Sequence, residues 1–194
     1  MSFIEKIEQI DRQILFFINE ANSSFFDSVM WEVSQPRFGI PFYIFFIYLL
    51  YRCFGLRNTI VLTLSIGVAV GLADLSAKYL FKEMFERYRP SQNLEIKDQL
   101  HYVNNYHGGM YGFVSSHAAN MFSIAMLLGL WLNKKMKYSI YFLLFWASVI
   151  GYSRIYLGVH YPSDVFFGAL LGVLIAIIIY KITIKTKLIN FSIK

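Results

Sequence analysis

Residues 151–164 read GYSRIYLGVHYPSD and stand between two long apolar runs. They set Arg154, His160 and Asp164, a fixed cation, a nucleophile or base, and a carboxylate, at the junction of those runs. If the runs cross a membrane, polar side chains at their ends call for a function, because charge near hydrocarbon is costly. A plainer reading also fits, with Arg154 on lipid headgroups, His160 incidental, and Asp164 favouring the positive end of the helix that follows. The stretch alone leaves these readings even, and the rest of the chain decides between them.

Working outward, 194 residues that are 57% hydrophobic, 19% aromatic and only 15% charged are too apolar for a soluble domain of this length. The composition predicts one polytopic membrane domain over residues 1–194, all-α and built as a helical bundle. The net charge of +6 does not point to nucleic acid, because the Lys and Arg residues are dispersed at the ends of apolar runs. That pattern suits anionic headgroups and the positive-inside bias. The single cysteine, Cys53, excludes an intrachain disulfide and a thiolate metal cluster, and neither a metal nor another cofactor is expected. The N-terminal MSFIEKIEQIDRQILFF carries acidic residues where a signal peptide has a basic flank, so the chain is read as mature.

Residues 3–18 place Phe3, Ile7, Ile10, Ile14, Phe17 and Ile18 near one helical face, with Glu5, Glu8, Asp11 and Arg12 largely on the other. This predicts an amphipathic helix lying in the membrane interface within a segment 1–32. Five spans are expected: 33–51, 58–79, 117–133, 137–154 and 162–181. A sixth would form if residues 12–31 also crossed. Arg52, Arg57, Lys134, Lys135, Lys137, Lys181, Lys185, Lys187 and Lys194 then share one face, which the positive-inside bias makes cytoplasmic. The connection 80–116 and the 154–164 loop fall on the opposite, extracytoplasmic face of a cytoplasmic (inner) membrane.

Two further clusters lie in that connection. Lys82 and Arg89, in KEMFERYRP, are expected on one helix face until Pro90 stops the helix, and paired cations suit a phosphate. In GFVSSHAAN, Ser115 or Ser116 can cap a helix starting near His117, whose free N–H groups can hold an anion while His117 protonates a leaving oxygen. With Asp164 orienting His160, the inventory describes phosphoryl transfer through a phosphohistidine. Asp74 and Lys78, one turn apart in the second span, read either as a pair satisfied inside the bundle or as an inward extension of the cationic pocket. His101 and His107 read as solvent or headgroup contacts.

Lys82-x6-Arg89-Pro90, Ser115-Ser116-His117 and Ser153-Arg154-x5-His160-x3-Asp164 together resemble the three-part signature of the type 2 phosphatidic acid phosphatase family, which shares its site with vanadium haloperoxidases. The resemblance implies a metal-independent membrane lipid phosphatase with His160 as nucleophile, Asp164 as its orienting partner and His117 as the acid. It implies phosphate binding by Lys82, Arg89, Ser115, Arg154 and the backbone N–H of Ser116. The middle motif departs from the family's usual Pro-Ser-Gly-His by reading Val114-Ser115-Ser116-His117. Undecaprenyl diphosphate, lipid A phosphate, phosphatidylglycerophosphate and phosphatidic acid all present a suitable headgroup. A lipid-to-lipid phosphotransferase with the same site is the near alternative, and a lipid or ion transporter the distant one.

Overall fold

The apolar periodicity of residues 3–20 and the turn residues that follow produce two helices, not one. In the computed structural model, which describes residues 3–186, α1 (Phe3–Glu20) and α2 (Ser24–Ser34) are separated by residues 21–23. Ser23 caps α2 by accepting a hydrogen bond from the Phe26 amide at 3.3 Å. Residues 12–31 therefore do not form one continuous span. Lys187 and Lys194 of the tail, like the side chain of Phe3, lie outside the described residues.

The docked face of α1 is Asp11, Leu15 and Asn19, all buried and spaced four residues apart. This corrects the expectation that Asp11 faces outward with Glu5 and Glu8. Asn19 explains part of the docking: its amide donates to the carbonyls of Tyr156 (2.8 Å) and His101 (3.0 Å), and its oxygen accepts from the His101 amide at 2.8 Å. Ile7, Ile10, Ile14 and Phe17 are left on the outside.

The next helix, α3 (Pro36–Ser76), starts with Pro36 in its first turn and breaks at Gly55, whose backbone (φ 75°, ψ 169°) lies where side-chain-bearing residues are strained. Tyr43, Phe46, Ile47 and Leu50 before the break line the same cleft as Thr63, Ile66 and Gly67 after it, so the two arms run back along each other. The second arm continues into a π-helical turn (Ala77–Lys82) and a final α turn, α4 (Glu83–Phe85), before Glu86 stops it in a left-handed conformation (φ 44°). The π turn has a positional consequence. Ala69, Ala73 and Ala77 face the bundle at four-residue spacing, and the extra residue of a π turn makes Lys82, five residues on, follow them.

Residues 87–114 form an irregular connection with three short 3₁₀ turns, at Pro90–Gln92, Lys97–Gln99 and Val103–Asn105. The isolated bridge Tyr88–Tyr111 draws its ends together. Ile96 and Leu100 pack with Leu15 of α1, Ile155 and Tyr161. The bundle is completed by α5 (Ser116–Leu132), α6 (Ser139–Tyr156) and α7 (Pro162–Lys185). Helices α5 and α7 approach so closely that a side chain at Gly168 would meet the carbonyl of Ser115 and one at Gly172 that of Ala119. The core between them includes Leu50, Leu62, Leu127, Trp131, Ala147 and Ala176.

Two helical stretches, Pro36–Phe85 with its break at Gly55 and Pro162–Lys185, are long and apolar enough to cross a membrane, and Ser116–Leu132 is a shorter apolar helix. Outward residues such as Ile44, Leu64, Leu174 and Ile178 of these stretches, and Phe145 of α6, are exposed. The architecture is an all-helical bundle with a membrane protein's inverted surface, and its buried charged residues gather at one end.

Candidate active site

That end is assembled from the heads of α5 and α7, the foot of α6, and the 87–114 connection. Pro162 starts α7, and Asp164, in its first turn, accepts the Tyr161 amide at 3.0 Å on Oδ2, a capping box that fixes the carboxylate below the preceding loop. The same oxygen lies 3.3 Å from Nδ1 of His160. Both side chains are enclosed, with His160 1% and Asp164 0% exposed. Asp164 also holds α5 in place, because its carbonyl accepts the Ser115 amide at 2.9 Å.

Ser115 is the N-cap of α5 and its hydroxyl accepts from Ala118, so its side chain has a local partner. Ser116 and His117 occupy the first turn, where backbone amides have no intrahelical acceptor. The Ser116 hydroxyl accepts from Nζ of Lys82 at 2.8 Å. The side chain that departs from the family's usual glycine thus anchors one of the cations.

Lys82 and Arg89 do not share a helix, correcting the sequence expectation. The helix ends at Phe85 and Glu86, and the chain becomes extended, so Arg89 reaches the site from the connection. Its amide donates to Met110 at 3.0 Å and its Nε to the carbonyl of Tyr111 at 3.1 Å. The loop opposite must come close: a Cβ on Gly108 (φ 68°) would lie 2.5 Å from Nη1 of Arg89, and one on Gly112 would lie 2.8 Å from Oδ2 of Asp164. Arg154, in the last turn of α6, is 2% exposed; it donates to the hydroxyls of Ser34 and Tyr106. Its Nε is buried with no hydrogen-bond partner among the described residues, a donor still open to an acceptor.

His160 lies within electrostatic range of Arg89, Arg154, Lys82 and His117. Burial, followed by those cations, holds its imidazole well below the ordinary histidine range, so the ring is neutral and its Nε2 can act as a nucleophile. Burial and the nearby Arg154 also work against the charge on Arg89. An anion placed among these cations relieves that strain, so the site is built to be completed by a dianionic group such as phosphate.

Lys78 is not brought to this cluster, and Asp74 lies outside it, though within electrostatic range of Lys82. Each sits one residue beyond an inward alanine, about 100° around the helix, and both are exposed. The Lys78 ammonium turns to the hydroxyl and ring of Tyr79. This corrects both the buried pair and the inward pocket. His101, expected against solvent or headgroups, is paired with Asp27 at 2.9 Å. His107 lies 3.1 Å from Asn105 and packs on the ring of Tyr102.

Sequence reasoning missed Arg87, whose Nη1 donates to Asp164 at 2.8 Å and to Ser163 at 2.7 Å, while Nη2 pairs with Asp11 at 2.8 Å. Burial works against its charge, but Asp164 and Asp11 outweigh it and raise its pKa. Ser34, Tyr106, Gly108 and Gly112 were missed as well. The one signal in the sequence was the arginine two residues before Arg89 in a segment that proves to be extended.

Known proteins resemble this chain in sequence and in fold. A lipid A 4'-phosphatase of Bacteroides thetaiotaomicron is 35% identical over 170 residues, covering 87% of this chain and 75% of the relative. A lipid A 4'-phosphatase of Porphyromonas gingivalis is 26% identical over 180 residues, covering 92% and 75%. The crystal structure of a transmembrane PAP2-type phosphatidylglycerolphosphate phosphatase from Bacillus subtilis superposes with a TM-score of 0.72 at 22% identity, covering 94% of this chain and 88% of the other. That likeness concerns the fold. The signature of the PAP2 superfamily matches residues 58–187, which include Lys82, Arg89, His117, Arg154, His160 and Asp164, and the chain belongs to that superfamily.

Proposed function

We propose that the chain is a bacterial envelope lipid phosphatase that removes a phosphate from a lipid headgroup through a phosphohistidine on His160, with lipid A phosphate the preferred substrate. The single observation that carries the reading is a neutral, enclosed His160 held by Asp164 and lying within electrostatic range of Lys82, Arg89 and Arg154. The two relatives named as lipid A 4'-phosphatases support the choice of lipid.

In the first step Nε2 of His160 attacks phosphorus, the bond to the ester oxygen breaks, and His117 gives that oxygen its proton. Asp164 keeps the Nδ1 proton in place and stabilises the charge that develops on the ring. Lys82, Arg89 and Arg154, with the amides at the head of α5, take the phosphoryl oxygens. In the second step His117 takes a proton from water, the water oxygen attacks phosphorus, and the P–N bond breaks to release phosphate and neutral His160. Ser115 serves this site through the helix it caps.

The whole chain then forms one membrane domain with five spans: the two arms of α3, α5, α6 and α7. Helices α1 and α2 lie in the outer interface with Ile7, Ile10, Ile14, Phe17, Phe25 and Phe26 toward lipid. Arg52 and Arg57 flank the Gly55 reversal, and Lys134, Lys135 and Lys137 occupy the α5–α6 turn, which makes that end cytoplasmic and the site extracytoplasmic.

The test is phosphate release by the purified protein in detergent, with EDTA present, from lipid A, phosphatidylglycerophosphate, phosphatidic acid and undecaprenyl diphosphate, and with His160→Ala as control. Fastest release from lipid A, absent in the variant, is expected. No release from any of the four, or equal release by His160→Ala, would overturn the proposal.

A further inference from the structure

Asp11 sits on the helix that the amphipathic pattern assigns to the membrane surface, yet it is 3% exposed and reaches the head of α7. Its Oδ1 accepts the Ser163 amide at 2.8 Å, capping α7 from another helix. Its Oδ2 accepts from the Ser163 hydroxyl and, at 2.8 Å, from Nη2 of Arg87. The other terminal nitrogen of Arg87 reaches Oδ1 of Asp164 at 2.8 Å, and Oδ2 of Asp164 faces His160. Four side chains from distant parts of the chain thus join into one run, Asp11 to Arg87 to Asp164 to His160.

The charges in this run decide what it does. An arginine paired with Asp164 alone would draw the carboxylate's charge away from His160 and weaken the nucleophile. A second carboxylate on the same guanidinium shares that pull, which leaves Asp164 able to stabilise the ring as it becomes phosphorylated. The Arg87 bond to Oδ1, together with the Tyr161 amide on Oδ2, also fixes Asp164 in the rotamer that meets His160. Tyr161, whose ring lies under the Arg87 guanidinium at 4.2 Å, holds the arginine flat between the two carboxylates.

We propose that Asp11 is a positioning residue for phosphoryl transfer: by sharing Arg87 with Asp164 and capping α7, it keeps Asp164 oriented toward His160, making α1 part of the active site. The inference rests on the reading of His160 as the nucleophile. A contact that only docked α1 would affect folding and would act independently of Arg87, which separates the two roles.

The experiment is a double-variant cycle on lipid A phosphate release, with thermal melting in detergent measured for every protein. Asp11→Asn keeps the shape and removes the charge; it is expected to lower kcat about tenfold with KM within about twofold, as an interaction made only in the transition state requires. In an Arg87→Gln background the same change is expected to cost less than about twofold, because coupling through a shared partner is not additive. Asp11→Glu, which keeps the charge, is expected to retain at least about a third of kcat. Unchanged kcat in Asp11→Asn, an equal loss in both backgrounds, or Asp11→Glu as impaired as Asp11→Asn would each overturn the inference alone. A wild-type protein without His160-dependent release would overturn it together with the phosphatase reading.

Discussion

The polar end of the bundle holds two His–Asp pairs in very different surroundings. His160 and Asp164 meet at 3.3 Å with side chains 1% and 0% exposed, inside a ring of Lys82, Arg89 and Arg154. His101 and Asp27 meet at 2.9 Å with side chains 35% and 21% exposed, between α2 and the connection. The second pair has the shorter contact and a further partner in Tyr156, whose hydroxyl donates to Asp27 at 2.7 Å. It nonetheless joins loop to helix, with Asn19 gripping the His101 backbone beside it. A histidine on a carboxylate is therefore common structural material. What sets the first pair apart, and on the proposed reading makes it reactive, is enclosure together with cations placed to receive an anion.

The sharpest way to break this contrast is to remove the reactive ring. His160→Ala is expected to reduce phosphate release to background, a loss of about 10⁴-fold or more, while the melting midpoint stays close to wild type, since the ring lies at a helix boundary. Turnover persisting at a wild-type rate would make the two pairs equivalent. Next comes Asp164→Asn, expected to lower kcat about 10³-fold with KM little changed, because a ring in the wrong tautomer fails before phosphate capture does. A KM effect without a kcat effect would place Asp164 in binding.

Gly112→Ala tests enclosure itself. Its Cβ would sit 2.8 Å from Oδ2 of Asp164, so the carboxylate must shift, and a kcat loss of about tenfold is expected from so small a displacement. Full activity would show that the close approach of this loop does not set the geometry.

The titration of His160 offers a smaller effect on stability. Its folded pKa lies below the ordinary value, so between the two values the unfolded chain binds a proton that the folded chain does not. Stability is therefore full above about pH 6.5 and falls as the pH drops below it, by up to about 1.4 kcal/mol per pH unit. Melting in detergent from pH 7 to pH 5 is expected to be steeper for wild type than for His160→Asn, and parallel curves would show that the ring is not held neutral. The least effect on turnover is expected from His101→Ala, with kcat within about twofold and a stability loss of about 1 kcal/mol for a partly exposed hydrogen bond. A kcat collapse there would bring the second pair into the chemistry.

Much of this was legible before the fold was known. The composition and the apolar runs set the all-helical membrane class because hydrocarbon leaves a spanning backbone of this kind few options. The spacing of His160 and Asp164 places them together because both belong to one helix head, where an i to i+4 relation is local geometry. The same locality put Ser115 at the cap of α5.

The failures also share a cause. Asp11 was assigned to the outer face because a helical period ranks residues by polarity, and a buried carboxylate with a partner far along the chain breaks that ranking. Lys82 and Arg89 were placed on one helix because nothing in KEMFERYRP announces the π turn or the left-handed Glu86. Lys78 pointed inward on paper until that same segment fixed which residues follow Ala77.

By itself, then, the amino-acid sequence determined the class of fold, the three clusters of polar residues at the site, and the local pairing of His160 with Asp164, since propensity, capping and periodicity act over a few residues. Only the tertiary structure decided the grip of Ser34 and Tyr106 on Arg154 and the run from Asp11 through Arg87 to Asp164. Those contacts join residues 48 to 120 positions apart. Such pairings exist because helix packing brings buried charges within reach of partners they cannot do without, and no local pattern records which partner that will be.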